Sequence, residues 1–160
     1  MTRPVDPVVP APLREMLGSD DLAAGIGFTL LLLTGRNDGW PHLTMLSVGE
    51  AIVVTERRLR LAIWPASTAA SNLAARQRAT LVAVVAPTAW LLRVSVRPLQ
   101  PIETPLAGRR AAFDAEVVEV AADEAPYAVL DSGVHFRLKD ETRTLPRWAE
   151  MRRALAEASA

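Results

Sequence analysis

A chain of 160 residues, half of them hydrophobic, is long enough for one domain with a substantial core, since folds of this size bury about 68–70% of the surface the unfolded chain exposes. Its 18 basic and 18 acidic residues cancel, so no global field gathers nucleic acid or an anionic membrane, and neither is expected as a partner. The absence of cysteine removes disulfides, thiolate nucleophiles, iron–sulfur clusters and most structural zinc sites.

The first stretch, MTRPVDPVVPAPLREM, lacks the uninterrupted apolar segment of a signal peptide, and its prolines predict an extended arm. With a short helix or two turns in LREMLGSDDLAA, it makes up residues 1–24. The longest apolar run, Leu81 to Ala86, falls far short of the ~20 residues that span a bilayer, and a cytoplasmic protein is expected.

IGFTLLLLT reads as a buried strand, and GRNDG, rich in residues that tolerate positive φ, as a turn joining it to an antiparallel neighbour. In WPHLTMLSVGEAIVVT, His42, Thr44, Leu46 and Val48 alternate with Leu43, Met45 and Ser47, and Gly49 marks a bulge or bend. TERR turns the chain into LRLAIW, a strand ended by Pro65. In STAASNLAAR, residues 67 to 76, a helical period puts Ala69, Ala70, Leu73 and Ala74 on one side and Ser67, Thr68, Ser71 and Asn72 on the other.

ATLVAVVA and AWLLRVSVRPLQPIE form two more strands around the turn APT. The second has an apolar face of Trp90, Leu92, Val94 and Val96 and a cationic one with Arg93 and Arg97. RRAAFDAEVVEVAADE has helix-favouring alanines and glutamates but alternates like a strand, and strand is preferred. SGVHFRLKD reads as a final strand. TLPRWAEMRRALAEASA reads as a terminal helix, residues 144–160, with Thr144 near its N-cap, Pro146 in its first turn and a stripe of Trp148, Met151 and Leu155. Six or so strands with one internal and one terminal helix give a mainly β (α+β) fold, an antiparallel sheet closed into a barrel over residues 25–143 with the last helix packed on it.

No phosphate-binding GxxxxGK[ST] loop or GxSxG nucleophile elbow is present. His42 and His135 lie on separate predicted strands without a carboxylate at ligand spacing, so no metal site is expected. Glu116, Glu119, Asp123 and Glu124 read as a solvated strand and loop.

The order GRNDGWPHLTML, RLRLAIW, STAASNLAARQRATLVAVV resembles the flavin-binding split-barrel family of pyridoxamine 5'-phosphate oxidase type, on Gly39, Pro41, His42, Leu43, Ser67, Asn72, Leu73, Arg78 and Ala79, within about residues 26 to 86. The resemblance implies a homodimer of split barrels with flavin mononucleotide in the cleft between subunits, acting on a small-molecule substrate as an oxidoreductase. It implies that Ser67 and Thr68 hold the phosphate and that the backbone of His42, Leu43, Thr44 and Met45 borders the flavin ring. A helix N-terminus supports the first role, since it offers unpaired N–H groups and about half a positive charge. Ordinary N-capping by Ser67 or Thr68 competes with it, accounting for one hydroxyl better than for these two and Ser71.

Where many relatives carry a basic residue after the hydroxyls, this chain has Ala69 and Ala70, leaving Arg60, Arg78 and Arg93 as candidates to meet the phosphate. Trp64 and Trp90 either stack on the flavin or pack in the core or interface, with packing preferred, more so for Trp90. The alternatives are a deazaflavin or no flavin in the same groove, and a non-catalytic dimer that binds a flavin or another small ligand.

Overall fold

The structure, a computed structural model, describes residues 1–160. Strands β1 (Thr2–Val5), β2 (Leu30–Gly35), β3 (Pro41–Leu46), β4 (Ala51–Thr55), β5 (Arg58–Ile63), β6 (Arg78–Val85), β7 (Thr88–Pro98), β8 (Ile102–Thr104) and β9 (Gly108–Asp123) join helices α1 (Ala11–Gly18), α2 (Thr68–Arg76) and α3 (Glu141–Glu157). They form one antiparallel sheet in the order β3-β2-β6-β7-β9-β5-β4, with β1 and β8 also paired to β9. β3 and β4 end this path, so the curled sheet is a split barrel.

Strand β9 is its spine, pairing with β1, β5, β7 and β8. Its alanines and glutamates favour helix in isolation, but four ladders override that propensity. Phe113, Ala115 and Val117 are buried, and then Val120 and Ala122. The phase changes at a bulge: Arg93 pairs with Glu119 and Val94 with Val117, leaving Val118 as the extra residue.

Two expectations fail at the C-terminal end. SGVHFRLKD is not a strand; it runs along the barrel without ladder pairing. Its alternation is real but serves packing, since Phe136 and Leu138 lie against the core and Phe136 meets Trp148 edge to face. Helix α3 starts at Glu141 rather than near Thr144, because Asp140 caps it by accepting from Arg143 N at 3.1 Å. Pro146 is therefore inside the helix rather than in its first turn. Trp148, Met151 and Leu155 are buried as the period predicts. The Trp148 indole also explains Gly49, where a Cβ would come within 2.1 Å of Cδ1; the glycine permits a close approach.

Candidate functional site

Helix α2 follows directly from β5 and packs on β2, β3 and β7. Ala69, Ala70 and Leu73 are buried, whereas Ala74 is exposed, contrary to the helical-wheel expectation. Ser67 is the N-cap. Its Oγ accepts from Ala70 N at 3.1 Å and donates to Trp64 O at 2.7 Å, so this hydroxyl is committed to its own chain. The exposed hydroxyls of Thr68 and Ser71 bond to nothing within the chain. They share with Ser67 and Asn72 a pocket of about 500 Å³ whose opposite wall is Arg36, Asn37 and Asp38 of the β2–β3 turn.

Two residues, Asn72 and Arg76, dock the helix on that hairpin. Asn72 Nδ2 donates to the buried Thr34 Oγ1 at 3.0 Å, and Arg76 Nη2 donates to Arg36 O at 3.1 Å. Arg36 in turn forks onto Asp38, with Nη2 2.7 Å from Oδ2. This guanidinium, helped by the Trp40 N–H, holds the Asp38 carboxyl below its ordinary value.

Strand β3 alternates as expected, and its outer face is apolar. His42 and Thr44 are half-buried and pair with Thr34 and Leu32, which are buried on the barrel side, whereas Leu43 and Met45 are 54% and 61% exposed. The outer apolar surface continues across strands. Met45 is registered with Leu31, Leu31 with Val82, Val82 with Leu91, and Leu91 with Ala121. Trp64 is exposed, with one ring face 3.6 Å from the Arg110 guanidinium. Burial of Arg110 lowers its pKa, and nearby Arg147 adds to the effect. Trp90 faces inward and packs against the core.

No family model matches the sequence. The uncharacterized protein YclD of Bacillus subtilis (strain 168) is 32% identical over 136 residues, 85% of this chain and 88% of its own. Among solved structures, a candidate pyridoxamine 5'-phosphate oxidase from Lactobacillus delbrueckii superposes with a TM-score of 0.54 at 16% identity, over 74% of this chain and 98% of that one. An F420 reductase superposes at 0.52 with 15% identity, over 70% and 98% of the two chains. A Clostridium acetobutylicum protein related to general stress protein 26, of the pyridoxinephosphate oxidase family, superposes at 0.50 with 11% identity over 78% and 95%. The chain belongs to one family with YclD and has the split-barrel fold of the pyridoxamine 5'-phosphate oxidase-like structures.

In this split barrel the three arginines left open by the sequence lie in different places. Arg60 is remote from α2: its Nη1 donates to Leu155 O and Ala156 O at the end of α3, and its Nε is 3.6 Å from Asp114. Arg78 and Arg93 line a second groove, at the trailing end of α2 on the outer sheet face. The cation beside Thr68 and Ser71 is instead Arg36. It lies in a stretch read only as a turn, and nothing in the sequence connects it with a helix thirty residues later; the signal is the ladder of β2 and β3 that α2 crosses. No group of three or more His, Asp or Glu side chains is placed to hold a metal ion, and no helix is long and apolar enough to cross a membrane.

Proposed function

We propose that this protein is a flavin mononucleotide-dependent oxidoreductase working as a homodimer, with the cofactor in the cleft where the outer sheet faces of two copies meet. The observation that carries this reading is the pocket that combines the leading end of α2, the unengaged hydroxyls of Thr68 and Ser71 and the Arg36 guanidinium, beside an exposed apolar edge strand. These groups fit the two parts of the cofactor. Hydroxyl and guanidinium donors suit a phosphate, and Leu43 and Met45 suit a flat ring.

Strand β3 ends the sheet path, so alternate N–H and C=O groups of His42 to Met45 lack a strand partner on one side and can bond the ring edge. Exposed Leu43 and Met45, with the half-buried Leu31, Val82 and Leu91 in the row beside them, form an apolar area of the kind a second subunit covers. When bound, the flavin supplies the electron transfer. The protein's own residues anchor the phosphate through Thr68, Ser71 and Arg36, border the ring with β3, and keep water from it by dimer contact. Ser67 caps the helix, Asn72 docks it, and Trp64 offers its free face at the rim.

A second reading, a dimer that binds its ligand without turnover, draws support from Asp38. Its carboxylate occupies Arg36, and Ala69, one of two alanines where the resemblance leads one to expect a basic residue, is fully buried. The visible absorption spectrum of freshly purified protein separates these possibilities. A flavin band bleached by NAD(P)H and restored in air is the expected result, a deazaflavin gives a different spectrum, and a colourless protein with no affinity for either cofactor rejects the proposal. Replacing Thr68 and Ser71 together with alanine is expected to weaken flavin mononucleotide about tenfold or more while leaving riboflavin little changed, because only the former has the phosphate. Equal losses for both ligands would place the phosphate elsewhere.

A further inference from the structure

We infer that the groove at the trailing end of α2 is a second ligand site, for a small molecule with a carboxylate or phosphate group on an apolar body. It has a volume of about 690 Å³, within the range of small-molecule sites, and lies on the other side of the β2–β3 turn from the Thr68 pocket. Gly35, the last residue of β2, lines it, whereas Arg36 and Asp38 of the turn line the first pocket. The two spaces border consecutive residues of the chain, Gly35 and Arg36.

Three guanidinium groups, Arg76, Arg78 and Arg93, face this groove, and no acidic side chain lines it. In a chain whose formal charge is zero, that local excess is not a consequence of composition. Arg93 has one ion pair, with Glu119 at 3.0 Å, and both side chains are at least half exposed. Arg78 is exposed and has no ion pair or hydrogen-bond partner in the chain. Arg76 is pinned to the turn through Arg36 O and Asn37 Oδ1.

The ladder fixes the geometry. Arg78 is registered with Ser95 and Thr80 with Arg93 on adjacent strands, so the two arginines are diagonal neighbours on one face. Such a pair repels itself in the empty site and forks onto a single anion when one is present. The rest of the lining sets the ligand's other end. Leu33 and Val118 offer apolar surface, and the Thr80 and Ser95 hydroxyls sit between the charges. As an anion site the groove stands independently of the flavin reading above.

Benzoate, phenyl phosphate, inorganic phosphate and neutral benzyl alcohol are the probes, titrated at low salt into the full-length protein and into Arg78→Gln, Arg93→Gln and the double variant. Binding of phenyl phosphate or benzoate at about 10 mM or below, with benzyl alcohol silent, is the expected result. The double variant should weaken it about tenfold or more at unchanged melting temperature. The stronger of the two organic anions identifies the headgroup, while inorganic phosphate binding as well as phenyl phosphate would remove the apolar half of the inference.

No anion binding by the wild-type protein, or equal binding by the variants, overturns the site. Flavin mononucleotide titrated into the same variants distinguishes the two readings. Retained flavin affinity with lost anion affinity supports two sites, and parallel loss of both makes the groove part of the cofactor's own cleft and overturns the inference. Arginine-dependent anion binding by a protein that takes no flavin would retain the anion site and reject the flavin reading.

Discussion

Two sets of three arginines lie on or beside this sheet and differ in what they enclose. Arg58, Arg60 and Arg97 converge on one carboxylate, Asp114, at 3.4, 3.6 and 3.1 Å. The register sets that cluster, since Arg60 and Arg97 both pair with Asp114 from opposite sides of β9. The Asp114 side chain is only 4% exposed, so its charge is stabilised by its partners and theirs by it. Arg76, Arg78 and Arg93 have no acid within their groove. An arginine's role here depends on which carboxylate the ladder brings opposite it, and residue type alone groups Arg60 with Arg78 and Arg93 although they do different things.

The largest break in that comparison is Asp114→Ala. Removing one partner of a buried ion pair costs about 3–5 kcal/mol when the remaining charge stays buried. Here Arg58 and Arg97 are 39% and 60% exposed and can turn to water, which lowers the expected loss to about 2–3 kcal/mol. Urea denaturation measures it. Arg78→Gln, by contrast, should change stability by less than about 0.5 kcal/mol, as surface substitutions do. A comparable loss from both variants would mean that the groove arginines are structural as well.

The same distinction between pairing and composition separates what was legible in the sequence from what was not. GRNDG between alternating runs identified the β2–β3 hairpin because a turn and two periods are local signals, and the short helix after Pro65 was read from its period. The placement of Asn72 and Thr68 beside the hairpin could not be read, because it depends on where α2 crosses β2. SGVHFRLKD differs for a related reason: alternation reports which side chains turn to the core, and Phe136 and Leu138 become half-buried against it without ladder pairing. Arg36 is not legible as a site residue in the sequence, because a turn residue acquires a role only from what packs across it. The competition between capping and phosphate binding at α2 has a mixed answer, with Ser67 taking the first role and Thr68 and Ser71 left free for the second.

Ser67→Ala sharpens that division with a smaller effect. It removes the cap on Ala70 N and the bond to Trp64 O, and about 1 kcal/mol of stability should be lost. Thermal or urea melts give the value. Because this hydroxyl is already engaged, the preference for flavin mononucleotide over riboflavin should persist in the variant, the opposite of the pattern expected from the Thr68 and Ser71 double substitution. Loss of that preference in Ser67→Ala alone would show that the cap opens to the ligand.

The smallest effect on stability, and the most direct on charge, comes from Asp38. Its carboxyl is held below the ordinary value of 3.8, first by Arg36 and then by the Trp40 N–H. A depressed carboxylate stabilises the fold above the unfolded value, and the contribution disappears as pH falls through the lower folded value. The β2–β3 turn should therefore loosen only below about pH 3.8, seen as faster hydrogen exchange at the Trp40 amide, and Asp38→Asn should abolish that pH dependence. At neutral pH the same variant frees Arg36 and removes a negative charge from the pocket, so flavin mononucleotide should bind more tightly while riboflavin is unaffected. Weaker binding of flavin mononucleotide by Asp38→Asn would mean that the ion pair orders the turn for the ligand rather than competing with it, and that Arg36 does not meet the phosphate.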